Sequence, residues 1–190
     1  MRKINLLSIW VFLFIANVSA FGHPESGIRL DPPVEDASPV TGAPAINCPA
    51  YGQNLQINNK QVLHWKRTTQ NQFRERGHIS GMVVEIFPDR NGHEHFVVNI
   101  GSYFEDTIEV IYNQDFGALP GLKIGMRAEA CGDYITSIAQ SGPYPPSPVG
   151  GIIHWVHKNP SRKGHDPGFL ILDGKIYGQD MSKAGEPLRP

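Results

Sequence analysis

The sequence predicts an all-β domain: a small five- to six-stranded barrel of the oligonucleotide/oligosaccharide-binding (OB) type, with a short N-terminal capping segment. Three observations carry this. Between Gly77 and Gly178, short β-branched and apolar runs alternate with Gly, Pro, Asn and Asp turn signals. Glycines fall inside several of those runs, where a strand wrapped around a small barrel must bend. The 190 residues hold 20 glycines and 16 prolines against 18% charged residues, which suits a loop-rich β domain better than a helical one. A β-sandwich is the structural alternative.

Residues 1–20 read as a secretory signal. Arg2 and Lys3 form a basic start, Leu6 to Ala16 an apolar core broken only by Ser8, and Val18-Ser19-Ala20 a small-residue cleavage site. That core is shorter than the ~20 residues that span a bilayer, and no later segment is apolar enough to cross one. The mature protein is expected to be exported, periplasmic or secreted, with no membrane span. Residues 21–47, rich in Pro and acidic side chains, read as a disordered linker. Residues 48–76 form the capping segment. Val62, Leu63 and Trp65 permit one or two helical turns there, and Trp65 and Phe73 are expected to pack on the barrel. Its cations, Lys66, Arg67, Arg74 and Arg76, read as a solvated face.

The barrel is placed at residues 77–178. Ile79–Phe87 is the first strand, with Gly81 marking a bend or bulge. Asn91-Gly92 is the strongest hairpin signal in the chain, returning into His93–Ile100. Thr107–Tyr112 is the third strand, and Leu122–Ile135 contains the fourth. The helix usual between these two strands of an OB barrel is reduced to a turn. After the Pro-rich Thr136–Val149 loop come Ile152–Val156 and Phe169–Leu172. An Asp173-Gly174 turn and Lys175–Tyr177 follow, and residues 179–190 read as a flexible tail. Glu105, Asp106 and Glu109 read as a solvated acidic rim.

Charge and motif content narrow the function classes. Removing the signal takes two of the 17 basic residues and leaves 18 acidic ones, a weakly acidic chain that lacks the basic field of nucleic-acid binders. There is no nucleophile elbow, phosphate loop, dinucleotide fingerprint or HExxH. The two cysteines, Cys48 and Cys131, form an even pair that an oxidising compartment would join, closing a loop worth about 4 kcal/mol in the chain-entropy model. Two separate buried thiols are the alternative.

Several segments resemble an uncharacterised family of exported bacterial proteins, domain of unknown function number 3465. Gly81-Met82-Val83 stands at its G-x-V element, and His93-Glu94-His95-Phe96 at its G-x-R-H-Q-R-F element, keeping the His and the Phe. Tyr112-Asn113-Gln114-Asp115 stands at H-N-I-D, and Leu122 to Tyr134 at L-x-x-G-D-x-V-x-F-x-G-E-Y. Gly150-Gly151-Ile152-Ile153-His154-Trp155-Val156-His157 fits G-G-V-x-H-W-T-H closely, with Lys158, Asn159 and Phe169 where His, Asp and Trp are usual. The similarity covers roughly Gly77–Gly178. It implies a barrel and an exported address, and it brings no activity with it.

Six of the eight histidines lie in the predicted barrel. His93 and His95 share a strand face. His154 and His157, three apart, can share one site only if their strand ends near Val156, which Asn159-Pro160 makes feasible. A divalent metal such as Zn could take ligands from His93, His95, His154, His157, His165 and Asp166. An open position on it could activate water beside His154 and His157, with Glu94 as general base. That defines a metal-dependent hydrolase of nucleic acid or cell-envelope polymer. The other reading is a binding or accessory module. Trp155, Tyr144, His157, Asn159, Arg162, Lys163 and His165 would then line a groove for a polysaccharide or anionic polymer in the envelope or outside the cell. The binding module is the first expectation and the hydrolase the second. A purely structural role, with the Asn159–Asp166 loop held by side-chain to backbone bonds, is a third.

Overall fold

A computed structural model describes residues 46–182 apart from 120 and 162. The signal segment 1–20, most of the 21–47 linker, Arg162 and the end of the tail lie outside the described residues.

The chain enters as a clip of two short strands, β1 (Pro49–Ala50) and β2 (Gln53–Asn54), turned by Tyr51 and Gly52 with φ of 51° and 78°. Cys48, fully buried, is joined to Cys131 by the disulfide that ties this clip to the sheet. Helix α1 (Asn59–Thr68) follows. It is longer than the one or two turns its apolar pattern implies, because only Val62 and Leu63 are buried and Trp65 extends the stripe by less than a turn. Trp65 stacks on Tyr134 at 5.7 Å and meets Phe73 at 5.8 Å. Asn58, at the helix N-terminus, does not cap it. Its side chain instead accepts from the His78 N–H, docking the helix start on the sheet.

Seven strands form one sheet: β3 (Arg74–Arg90), β4 (His93–Asn99), β5 (Thr107–Asn113), β6 (Arg127–Thr136), β7 (Gly151–His154), β8 (Phe169–Leu172) and β9 (Lys175–Tyr177). Five of them close a ring. β3 pairs with β4, β4 with β5, β5 with β7, β7 with β6, and β6 returns to β3. Only the β5–β7 contact is parallel. The β8–β9 hairpin extends β6 alongside the ring.

β3 begins at Arg74, so the strand starts inside the segment read as the cap. Its first half pairs with β6 and its second with β4, exchanging neighbours at Met82. The expected bend lies beside Gly81, where a Cβ would stand 1.9 Å from the Asn99 carbonyl oxygen. Both predicted hairpin turns form, at Asn91-Gly92 and Asp173-Gly174, each with two residues at positive φ. The β5-to-β6 connection carries a three-residue 3-10 helix, Gln114–Phe116, in place of a full helix.

Side-chain alternation divides the ring into two faces. Phe96, Val98, Val110, Tyr134 and Ile153 point inward to the main core, which α1 covers through Val62 and Leu63. Cys131 points outward and joins Cys48 and Phe169 in a second, smaller core under the clip. The neighbours that alternate with the inward set, His93, His95, Glu109, Asp133 and His154, therefore share the outer face. The chain does not leave the fold at residue 178: Gln179 donates to the Gly168 carbonyl and the Asp180 N–H to that of Phe116.

Candidate functional site

The site is built by a corner. β7 stops at His154, two residues earlier than its apolar run implies, and Trp155 takes a φ of 54°. A left-handed backbone costs an ordinary L-residue about 1–2 kcal/mol, so something must hold it. Two glycines do. A Cβ on Gly168 would lie 2.3 Å from the Trp155 carbonyl oxygen, and one on Gly178 would lie 2.5 Å from that of Val156. Such close approach lets the Gly168 N–H donate to His157 and the Lys158 N–H to Gly178, both at 2.7 Å. Arg76, donating to the Pro167 carbonyl, fixes the far end of the loop.

The corner brings together residues that a straight strand would keep apart. His154 stacks on Trp155 at 4.5 Å, and Trp155 on His165 at 5.3 Å. His157 lies flat on Phe116 at 3.7 Å and meets the edge of His165 at 5.1 Å. His93, from β4, meets His154 at 6.2 Å. The Arg74 guanidinium sits 4.5 Å over the Trp155 ring. Beside this cluster an open cleft of roughly 370 Å³ is lined by Tyr51, Arg74, Arg76, Asp133, His165 and Asp166, among others.

Burial is the main cause that pushes the His154 imidazole down to about 3, with His93, His157, His165 and His95 adding like-charge repulsion. His157 is pushed down to about 4, again by burial first; its bond to the Lys158 carbonyl opposes the shift, and His165 and His93 reinforce it. Both rings are therefore neutral at pH 7. Hydrogen bonds fix the tautomers of His157 and of three other rings. Nδ1 of His93, His157 and His165 faces the carbonyls of Asn91, Lys158 and Asp166, and Nδ1 of His95 faces the Glu109 carboxylate. A carbonyl or carboxylate oxygen only accepts, so Nδ1 carries the proton and Nε2 of the neutral ring carries a lone pair. His78 contrasts with these: its Nδ1 bonds Leu55 and its Nε2 bonds Glu129. Among the described residues, no group of three or more His, Cys, Asp or Glu side chains could hold a metal ion.

The remaining predicted residues fall outside the cluster or serve the scaffold. Asn159 is buried, and its amide donates to the Lys163 and His165 carbonyls while its oxygen accepts from Ser161, so it shapes the loop. Tyr144 is exposed and lies in the β6-to-β7 connection, at the Gly151 end of β7, whereas Trp155 follows the other end. Glu94 alternates with His93 and His95 and so leaves their face; it accepts from Gln114. Burial, then Asp89, raises its carboxyl, with His95 opposing. The acidic rim is not solvated throughout. Glu109 is buried against His95, and Asp106 is buried against Arg67 and the Tyr103 N–H. Sequence reading passed over Arg74, Phe116, Glu109 and Asp133 as site residues. The one available signal was the strand alternation that sets Glu109 on the face of the β4 histidines.

Fold and site define a disulfide-tied β domain with a histidine-rich outer face gathered around a tryptophan corner. Residues 48–178 match the family model described as "Protein of unknown function (DUF3465)", and the chain belongs to that family. The match starts at the disulfide cysteine Cys48, so the clip and α1 are part of the family's domain. None of the curated proteins matches the chain. No helix among the described residues is long and apolar enough to cross a membrane.

Proposed function

We propose that the protein is an exported OB-type barrel acting as a binding or accessory module for a polysaccharide or anionic polymer of the cell envelope or exterior. The ring order β3-β4-β5-β7-β6, with one parallel pair, supports the barrel assignment. In such barrels the second and third strands present the ligand face; here they are β4 and β5, which carry His93, His95 and Glu109. The basic start of residues 1–20 and the Cys48–Cys131 disulfide are compatible with export.

The observation that carries the binding reading is the Trp155 corner. Backbone strain concentrates at functional sites, and here it holds an indole against His165 and Arg74, two of the residues that line the polar cleft. Arg74 is exposed, and stacking on Trp155 leaves the edge of its guanidinium facing outward for an anionic group. For the hydrolase alternative, the proposed base Glu94 faces away from His93 and His95, so binding is the better supported reading. Co-sedimentation with insoluble peptidoglycan and with an acidic polysaccharide gel tests it. Trp155→Ala and Arg74→Ala are expected to lose binding with an unchanged melting temperature. Unfolding of Trp155→Ala, or wild-type protein that stays in the supernatant with both polymers, overturns the reading.

A further inference from the structure

We propose that the end of the ring away from the tryptophan corner docks on an anionic lipid bilayer, with Phe104 and Tyr144 entering its interface. The strand register places three segments together there. β4 ends at Asn99 opposite Thr107, β6 ends at Thr136 opposite Gly151, and β5 runs parallel to β7 with Glu109 beside Ile152. The β4-to-β5 loop, residues 100–106, and the β6-to-β7 loop, residues 137–150, therefore leave the ring at one end. The last turn of α1 joins them: Lys66 donates to the Glu105 and Thr107 carbonyls at 2.8 Å, and the Thr69 hydroxyl bonds that of Thr136. At this end Phe104 is 74% and Tyr144 73% exposed, and Ile138 and Tyr103 are exposed as well. Exposed apolar side chains scattered singly need no explanation, but several at one end of a fold mark a docking surface.

The loops that carry these side chains are held by their own bonds. The Tyr103 N–H donates to the Asp106 carboxylate, and the Tyr103 carbonyl accepts from the Asn99 amide and the Asp106 N–H. Arg67 pairs with that same buried carboxylate. The Ile138 and Ala139 N–H groups donate to the Asn71 side chain, and Ser141 and Tyr144 bond each other's backbone. Segments ordered in advance lose little freedom when they bind. Charge then chooses the occupant. Residues 137–150 contain no Asp, Glu, Lys or Arg, and α1 carries Lys60, Lys66 and Arg67 with no acidic residue. Lys60, His64 and Arg67, at i, i+4 and i+7, form one exposed face of that helix. With Asp106 buried, Glu105 is the exposed acid of the β4-to-β5 loop. Aromatic rings beside a basic helix face match a bilayer surface, where such rings sit at headgroup level and Lys and Arg meet anionic lipid. A second copy of this chain would present cations of the same sign, whereas an anionic lipid presents the opposite one.

This inference is independent of polymer binding, which uses the other end of β7: bilayer docking can fail while Trp155-dependent sedimentation stands, and the reverse. The test is the fluorescence of the full-length protein carrying an environment-sensitive NBD label on one introduced cysteine, the native pair being closed in the disulfide. Phe104→Cys and Tyr144→Cys each take the label in turn, and Arg90→Cys, exposed beside the β3-to-β4 turn at the far end, is the control. Vesicles of phosphatidylethanolamine and phosphatidylglycerol should shift the label to the blue at 104 and 144 and leave it unshifted at 90. Adding Lys60→Glu to labelled Phe104→Cys should weaken vesicle binding about fivefold or more. Unshifted labels at 104 and 144 overturn the docking end, even if another segment carries the chain onto the vesicles. So does a shift at 90 as large as at 104. Equal shifts on vesicles of phosphatidylcholine alone overturn the assignment to anionic lipid. A concentration-dependent dimer that shields the labels without vesicles assigns this end to a second copy of the chain and overturns it too.

Discussion

Arg76 is the residue on which the clip, the disulfide and the tryptophan corner converge, and removing it gives the sharpest test of how the site is held. Its guanidinium is nearly sealed from solvent. It donates to Asp133 at 2.8 Å, to the Pro49 carbonyl at 3.0 Å and to the Pro167 carbonyl, and it lies 3.1 Å from the Cys131 sulfur. Arg76→Met keeps the aliphatic stem but leaves the Asp133 carboxylate buried without a counter-ion, a change that costs about 3–5 kcal/mol. Asp133→Leu strands the guanidinium in the same way. The double variant removes both charges and loses chiefly the donors to Pro49 and Pro167, at about 1 kcal/mol each. It should therefore be more stable than Arg76→Met alone, with a coupling energy of about 2–3 kcal/mol. Urea denaturation with the disulfide intact measures all four corners of the cycle, provided the m-value is constant. If Arg76→Met costs less than about 1 kcal/mol, or the two single costs simply add, then Arg76 is not the strut described here.

Two further outcomes follow from the same geometry. Gly168→Ala places a methyl 2.3 Å from two backbone oxygens and should cost about 3 kcal/mol or more, whereas Gly164→Ala, at φ of 84° in open space, should cost about 1 kcal/mol; equal costs in thermal or urea melts would contradict the close packing behind Trp155. In chelator-treated protein, His154 and His157 stay neutral when folded but protonate in the unfolded chain below its pKa of about 6.5. Their contribution is fully present above that value and lost as pH falls toward 4, with a slope of up to about 1.4 kcal/mol per pH unit for each ring. Urea midpoints between pH 7 and 4.5 should fall accordingly, and His157→Gln should flatten the fall; a profile unchanged by that substitution would contradict the assignment.

The sheet was legible because its strands obey local rules. Asn91-Gly92 and Asp173-Gly174 fix two hairpins by turn chemistry alone, and β-branched runs locate most strands within a few residues. Helix α1 was only half legible, since much of its length is set by docking through Asn58 and Trp65 and little by a periodic apolar face. The site was legible as a list of histidines and not as a geometry. Whether His154 and His157 share one side depends on a single left-handed residue, and nothing in Trp155 itself favours that conformation. Its determinants are Gly168 and Gly178, 13 and 23 positions later, whose missing side chains admit the Trp155 and Val156 carbonyls. A local reading treats such glycines as turn or flexibility signals, because the residue each one accommodates is remote in sequence. The same remoteness hid Arg74, which belongs to the cap by sequence and reaches Trp155 only because β3 pairs with β6, and β6 in turn with β7. The corner's chemistry is therefore a property of the closed ring. Substitutions in β3 or at the two glycines should perturb the histidine cluster as surely as changes to the histidines themselves.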